Sequence, residues 1–209
     1  MKRIIFDIET IPDQSLPDTL NPEFDKGRLV DPEKIEKAKA EFEEGIIKKL
    51  SVNPMTCQIV SLQIKYSMDS GFADDTVFFE TVNDETDMLK QFWYAAMEAE
   101  QLIGHNIIGF DLPVIFMRSM VLGILPTRKL KLQKYRSYPI FDTMHLLGNW
   151  SSFISLDDAL TRFKLEGKSG SGSQVYQMWL DGQHEAIHNY CKDDVNAVER
   201  LYNVMRYFY

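Results

Sequence analysis

The sequence of 209 residues has little cysteine, no long apolar run and no excess of positive charge. Two cysteines, Cys57 and Cys191, are too few for a disulfide framework, and no Cys/His spacing typical of a zinc site occurs. The first apolar run is interrupted at Asp7, so it is too short for a signal peptide or a membrane span. We therefore expect a cytoplasmic protein that makes no association with a membrane.

The composition is that of one globular domain. A hydrophobic fraction of 44% and a charged fraction of 26% are ordinary values, and the length suits a single domain over residues 1–209. The formal net charge of −8 argues against a protein that coats duplex DNA electrostatically. It does not exclude an enzyme that holds one nucleic-acid end through metal ions and a local basic patch.

The first strand predicted by the sequence carries two acids. Ile4, Ile5, Phe6 and Ile8 form a β-branched apolar run typical of a buried strand, and Asp7 and Glu9 interrupt it. Residues two apart on a strand point to the same side, so both carboxylates share one face. Two buried carboxylates repel each other unless a cation lies between them, which favours a divalent metal site. The alternative is an edge strand with a solvated acidic face.

After the first strand, residues 11–21 are turn-like. A helical excursion at about 13–54 follows, with a surface helix capped at Asp31. Strands and helices alternate along the rest of the chain. The pattern predicts a mixed sheet covered by helices. The segment 84–99 should be a helix with Met88, Leu89, Phe92, Trp93 and Met97 directed inward. The further predicted strands are 58–66, 76–81, 101–106 and 140–141, and the further helices are 112–122, one opening at Ser155, and 184–208.

Two further acids stand where core residues are expected. Asp111 follows the strand of Leu102 and Ile103 at a strand-to-helix turn, where it could bind a ligand or simply cap the helix. Asp194 shares a buried helical stripe with Val198, Leu201 and Met205, where an acid is costly unless it is ion-paired or bound to a metal.

Tyr190 lies one helical turn before Asp194 on the same face. Its phenol could position a water molecule, or the residue could be an ordinary core tyrosine with a solvated hydroxyl. A rival pair, His188 and Asp193, is disfavoured because the helical phase directs Asp193 towards solvent.

These positions resemble the three motifs of DEDDy-type (DnaQ-like) 3′–5′ exonucleases. The resemblance is to predicted stand-alone exonucleases related to the exonuclease domain of family-B DNA polymerases, and it extends from Lys2 to about Tyr202. The three motifs are Phe6-Asp7-Ile8-Glu9-Thr10, then Asn106 with Phe110 and Asp111, and finally Tyr190 with Asp194.

The resemblance implies an α/β fold of the ribonuclease-H-like type, with a five-stranded mixed sheet flanked by helices and two Mg²⁺ or Mn²⁺ ions. Asp7 would bridge both ions, Glu9 and Asp194 would complete one site, and Asp111 would serve the second. Tyr190 would orient the attacking water. The implied reaction releases nucleoside 5′-monophosphates from the 3′ end of single-stranded DNA or RNA, without an organic cofactor. The motif neighbours Thr10, Asn106 and Phe110 are then expected to contact the substrate.

A basic segment adds further candidate contacts. No acid occurs between Asp111 and Asp142, whereas basic residues are frequent and Tyr135 and Tyr138 lie among them. This composition favours backbone contacts and base stacking, with an ordinary exposed basic loop as the alternative. Asp142 could support the site or cap the following turn, and the Gly/Ser loop at 167–173 could be a flap or a plain linker. The basic residues are Arg118, Arg128, Lys129, Lys131, Lys134 and Arg136, of which Arg128, Lys129 and Lys131 are our candidates for substrate binding.

Two other functions fit parts of the pattern. Haloacid-dehalogenase-type phosphatases also begin with a strand that carries two acids two residues apart, but the second acid here is Glu9, and Asp111 has no role in that scheme. A catalytically silent module that binds nucleic acid or protein on the same fold is the non-enzymatic alternative. The presence of all four acids and Tyr190 favours the enzyme.

Overall fold

A four-stranded mixed sheet lies at the centre of the computed structural model, which describes residues 2–20, 22–67, 83–167 and 172–209. The strand order is β2-β1-β3-β4. Strand β1 (Arg3–Pro12) pairs antiparallel with β2 (Cys57–Ser67) and parallel with β3 (Gln101–Gly104), which pairs parallel with β4 (Ile140–Asp142). The strand with the two acids is therefore interior, and the edge-strand alternative is wrong.

The number of strands differs from our expectation. We expected five strands, and the described residues contain four. The missing one, predicted at 76–81, lies outside the described residues, as does the turn expected before it. The mixed α/β character and the flanking helices are confirmed.

Helices cover both faces of the sheet. Helices α2 (Glu85–Glu98) and α3 (Asp111–Val121) pack on one face, and α7 (His184–Met205) packs with α5 (Leu156–Phe163) on the other. None of the helices in the described ranges has both the length and the apolarity that a membrane span requires. The remaining helices are α1 (Pro32–Ser51), α4 (Thr143–Leu147) and α6 (Val175–Leu180), with 3-10 turns at Asp18–Leu20 and Gly172–Gln174.

The alternation of side chains along β1 separates two cores. Ile4, Phe6 and Ile8 pack in the larger core with α2 and α3, where Phe6 meets Phe92 edge to face at 5.0 Å between ring centroids. Ile5 packs on the other face with residues of α7. Because Asp7 and Glu9 follow Ile5 by two and four residues, the strand directs both carboxylates towards α7.

Most predicted helix starts are confirmed by their caps. The side chain of Asp31 accepts a hydrogen bond from the Glu33 N–H at 3.1 Å, and Ser155 accepts one from Asp158 at 3.1 Å. Helix α1 is a surface helix with Leu50 as its buried residue, as expected.

Three boundaries or orientations were wrong. Met97 is 47% exposed, because Ala95, Ala96 and Ala99 occupy the buried face at the end of α2. Residues 11 and 12 belong to β1 rather than to a turn, since β1 pairs with β2 as far as Pro12. The last helix ends at Met205 rather than at 208.

Candidate active site

Asp7 and Glu9 form the centre of the candidate site on β1. Both residues are partly buried, and one carboxylate oxygen of each lies within 4.8 Å of the other and of the Cys191 sulfur. The β1–β2 register shifts directly after Glu9. Such bulges are frequent beside active sites, because they redirect the side chains around them. The prediction that the two acids share one face is confirmed.

Cys191 is the member of this cluster that the sequence reasoning missed. Its thiol donates to the backbone oxygen of Asp7 at 3.3 Å and to Asp7 Oδ2 at 3.5 Å. Burial, followed by the negative charges of Asp7 and Glu9, raises the pKa of this thiol well above its ordinary value. The protonated thiol therefore positions Asp7, and the carboxylate oxygens are the atoms of this cluster that could hold a hard metal ion. The available signal was helical spacing, since Cys191 precedes Asp194 by three residues.

Asp111 is a buried acid, 3% exposed, at the first position of α3. Burial, and then the charges of Asp142 and Asp194, raise the pKa of Asp111 to about 8, although the backbone N–H of Ile8 acts in the opposite direction. Its Oδ1 atom has no hydrogen-bond partner among the described residues. Phe110 occupies the N-cap position of α3, so helix capping does not account for this carboxylate.

Asp142 builds the turn that leads to Asp111. Its carboxylate accepts hydrogen bonds from the backbone N–H groups of Asn106 at 3.0 Å and Ile108 at 2.8 Å. It also accepts from the N–H of His145 at 3.1 Å, which caps α4. Asn106 has a φ of 64°, a left-handed conformation that needs such support. Asp142 therefore both supports the turn before Asp111 and caps α4, the two roles considered from the sequence.

Asp194 and Tyr190 lie on the buried face of α7, each 7% exposed. The stripe that continues from them through Val198, Leu201 and Met205 is buried as predicted. Asp194 is near enough to Asp111 for its charge to raise the pKa of that acid. Tyr190 packs in a small apolar cluster with Ile11, Val60, Val175 and Ile187. Gly172 lies close to the Tyr190 hydroxyl, since a Cβ added to this glycine would be 3.7 Å from it. That the hydroxyl orients a water molecule stays a prediction.

His188 does not form the rival pair with Asp193. Its Nδ1 atom lies 2.9 Å from Ser61 Oγ and its Nε2 atom 3.1 Å from Asn83 Oδ1. Both ring nitrogens are thus occupied by neutral partners, and burial lowers the pKa of this histidine. A neutral, hydrogen-bonded imidazole is a structural element of the α7–β2 contact.

The motif neighbours have structural roles in addition to the predicted one. Thr10 donates its hydroxyl to the Ser51 carbonyl at 2.7 Å, which joins α1 to β1. The carbonyl of Asn106 accepts from the N–H of Phe110 at 2.9 Å in the turn before α3. Phe110 packs against the larger core. Contact of Thr10, Asn106 and Phe110 with substrate stays a prediction.

The basic residues are dispersed over different surroundings. Arg118 is buried and ion-paired to Asp13 and Glu85. Arg128 donates to the carbonyls of Ala96 at 3.1 Å and Ala99 at 2.5 Å and so caps the end of α2. Lys129 and Lys131 are exposed and line a cavity beside the start of β4, the strand that ends at Asp142. Of the Gly/Ser loop, residues 168–171 lie outside the described residues.

Comparison with known proteins identifies the family. A family model described as "Predicted 3'-5' exonuclease related to the exonuclease domain of PolB" matches residues 52–208. The chain belongs to this family. The matched range includes Asp111, Tyr190 and Asp194, while Asp7 and Glu9 precede it. No curated protein matches the sequence.

A solved structure shows the same fold. The family B DNA polymerase of the hyperthermophilic archaeon Pyrobaculum calidifontis is similar with a TM-score of 0.62 and 19% sequence identity. The similarity covers 98% of this chain and 24% of that one. The chain thus spans about a quarter of the polymerase to which it is similar, and the fold is consistent with the ribonuclease-H-like exonuclease type.

Proposed function

We propose that this protein is a metal-dependent 3′–5′ exonuclease that removes nucleoside 5′-monophosphates from the 3′ end of single-stranded nucleic acid. Membership of a family of predicted 3′–5′ exonucleases supports the reaction class. The observation that carries the metal dependence is Asp111, a buried acid with its pKa raised to about 8 and an Oδ1 atom without a hydrogen-bond partner among the described residues. Near neutral pH such a buried carboxyl group is ionised only when a cation binds to it, which supports a metal ligand at this position.

The residues of the site fit two hard divalent cations such as Mg²⁺ or Mn²⁺. Carboxylate oxygens are the ligands that these ions prefer, and Asp7, Glu9, Asp111 and Asp194 supply them from three elements. By the resemblance to DEDDy-type exonucleases, Asp7 would be the ligand shared by both ions. It lies beside Glu9, and the Cys191 thiol that donates to it restricts its orientation. Such ions, when bound, activate water and neutralise charge in the displacement at phosphorus.

The protein groups prepare that reaction. Cys191 positions Asp7, and Asp142 positions the turn from which Asp111 enters the site. The phenol of Tyr190 would orient the attacking water, which agrees with its place one turn before Asp194 on α7. The exposed Tyr135 and Tyr138 of the basic segment favour unpaired bases as the substrate, because a base can stack on an exposed ring only when it is free of its partner.

The test is digestion of 5′-labelled single-stranded DNA and RNA with Mg²⁺, Mn²⁺ or EDTA. We expect a ladder that shortens from the 3′ end, that requires metal, and that is absent with the Asp7→Asn variant. Absence of cleavage of both polymers with every metal would contradict the proposal and favour a silent binding module, which should bind equally well in EDTA.

Tyr190→Phe tests the assignment of the tyrosine. We expect cleavage to slow by about a hundredfold, the lower end of the range for a positioned acid–base group, because Tyr190 would only orient the water. His188→Ala is the matched comparison on the same helix and should have a smaller effect. A silent Tyr190→Phe together with an inactive His188→Ala would reverse the two assignments.

A further inference from the structure

The basic segment 128–139 leads into β4 at the end of the sheet where β3 and β4 begin, whereas Asp7 and Glu9 lie towards the opposite end of the strands. The backbone N–H of Leu102 donates to the Pro139 carbonyl at 2.8 Å, which places the end of the segment beside the first residues of β3. Leu102 pairs with Ile4 of β1, five residues before Glu9. With a rise of roughly 3.3 Å per strand residue and a spacing of roughly 4.8 Å between neighbouring strands, the end of the segment is about 14 Å from the backbone of Asp7 and about 19 Å from that of Glu9, which is about 17 Å on average.

Three cations of this segment surround one cavity. Lys129, Lys131 and Arg136 line a cavity of about 290 Å³ together with Tyr138. All three cations are exposed, and none of them has an ion pair within the described ranges of the chain. In a protein with a net charge of −8, unpaired cations around one cavity form an anion-binding surface.

The lysines of α1 show the contrast. Lys34, Lys37 and Lys39 lie 3.9, 3.9 and 3.6 Å from Asp31, Glu41 and Glu43. Their positive charges are compensated by the neighbouring acids of the same helix. Lys129, Lys131 and Arg136 form no such ion pair in the part of the chain that the structure describes. Their charges are therefore available to an external anion.

Exposed aromatic rings lie beside these cations. Tyr135 is 75% exposed and Tyr138 56% exposed. The Ser137 hydroxyl donates to the Tyr209 carbonyl at 3.3 Å, which brings Tyr207 and Phe208, 76% and 81% exposed, next to the segment. Cations alternating with exposed rings match a strand that offers phosphates and unpaired bases together.

We propose that Lys129, Lys131, Arg136 and Tyr138 form a second contact for single-stranded nucleic acid, which holds the 5′ part of the strand whose 3′ end is in the candidate active site. This inference rests on the proposed function for the location of the 3′ end. A stacked strand advances roughly 3.4 Å per nucleotide, so spanning about 17 Å takes at least about five nucleotides. The second contact therefore acts only on strands longer than that.

Binding without metal tests the contact independently of cleavage. The affinity of a labelled single strand of about 20 nucleotides is measured in EDTA by fluorescence anisotropy at several salt concentrations. For Lys129→Gln/Lys131→Gln/Arg136→Gln we expect weaker binding, with the slope of log K against log salt reduced by about 2, since each neutralised phosphate of a single strand contributes about 0.7. The control Lys34→Gln/Lys37→Gln/Lys39→Gln changes the net charge equally and should bind like the wild type.

Unchanged binding by the first triple variant would overturn the inference even if the wild-type protein cleaves its substrate. Weaker binding would support it even if no cleavage is observed, so the failure of the proposed function and of this inference are distinguishable. Tyr138→Ser should weaken single-strand binding while leaving binding of a blunt duplex unchanged, because an exposed ring cannot stack on paired bases. Equal weakening of both by Tyr138→Ser would also overturn the inference.

The length dependence of hydrolysis gives a second readout. With Mn²⁺, the first triple variant should degrade strands of about 20 nucleotides more slowly than the wild type, and strands of about four nucleotides at the same rate. An equal loss of rate on the short strands would show that the three cations act at the active site, which would overturn the second contact.

Discussion

Helix α3 carries two buried charged residues whose surroundings differ. Near its end, Arg118 bonds to Asp13 at 2.5 Å and to both carboxylate oxygens of Glu85 at 2.7 and 2.8 Å. At its start, Asp111 faces the acids Asp142 and Asp194. Both regions are largely buried. The region around Arg118 contains a cation with two acids bound to it, whereas the region around Asp111 contains acids close to one another.

The pKa values record this difference. Burial would raise the pKa of Asp13, but hydrogen bonds from Ser15 and Arg118 outweigh burial and lower it. For Asp111 the same burial effect is reinforced by negative neighbours, and the pKa rises to about 8. A structural ion pair contains its own counterion, whereas a metal-binding cluster remains destabilised until the cation is bound. This difference supports our proposal that the acidic cluster is the functional region, whereas the Arg118 cluster is structural.

Removal of an acid from the functional cluster should have the largest effect. We expect Asp7→Asn or Asp194→Asn to reduce the cleavage rate by at least about a thousandfold, because each removes a ligand of the proposed metal pair. The rate is measured on a labelled single strand, with thermal melting as the control for folding. A variant that retains most of the activity would remove that acid from the metal site.

Arg118→Ala should have the next largest effect, on stability. The variant leaves Asp13 and Glu85 as buried acids without their cation, which costs about 3–5 kcal/mol of unfolding free energy. Urea denaturation measures this loss. The comparison of the two regions would fail if Arg118→Ala retained wild-type stability.

Asp142→Ala should have an intermediate effect on activity. It removes the acceptor for the N–H groups of Asn106 and Ile108, so the turn before Asp111 loses its support. Residues that orient a metal ligand typically contribute about tenfold to a hundredfold in metal affinity or activity. Titration of Mn²⁺ against the rate should show a weaker metal dependence, and Asp142→Asn, which retains one oxygen acceptor, should be affected less.

Asp111→Asn and Asp13→Asn should change stability in opposite directions. The raised pKa of Asp111 means that the folded protein loses stability as pH increases from about 4 to about 8, because the unfolded chain releases the proton first. At pH 8 without metal, Asp111→Asn should therefore have a higher Tm than the wild type. Asp13→Asn should lower Tm, because the lowered pKa of Asp13 contributes stability above its ordinary pKa.

Calorimetry between pH 4 and pH 8 checks this pair of variants. The difference in Tm between Asp111→Asn and the wild type should increase with pH, since Asp142 of β4 and Asp194 of α7 face the same carboxylate throughout. Addition of Mn²⁺ should raise the Tm of the wild type more than that of Asp111→Asn. If the difference in Tm between Asp111→Asn and the wild type stayed constant with pH, the pKa of the Asp111 carboxyl would not be raised by burial and by its acidic neighbours.

Local periodicity in the sequence was sufficient to predict most of the described strands and helices and the direction of several side chains. Alternation along β1 placed Asp7 and Glu9 on one face, and the helical phase of α7 placed Asp194 and Tyr190 on its buried side. The capping positions at Asp31 and Ser155 were also evident, because a cap bonds within its own turn. These features depend on residues within a few positions of one another, and the sequence contains all of them.

The partners between elements depended on the tertiary structure. The sequence did not indicate that Cys191 donates to Asp7, that Arg118 joins Asp13 to Glu85, or that Arg128 caps α2 rather than facing solvent. It also could not place the basic segment beside the first residues of β3. Each of these contacts joins residues from separate strands, helices or loops, so it exists only once the sheet order and the packing of the helices have brought those elements together.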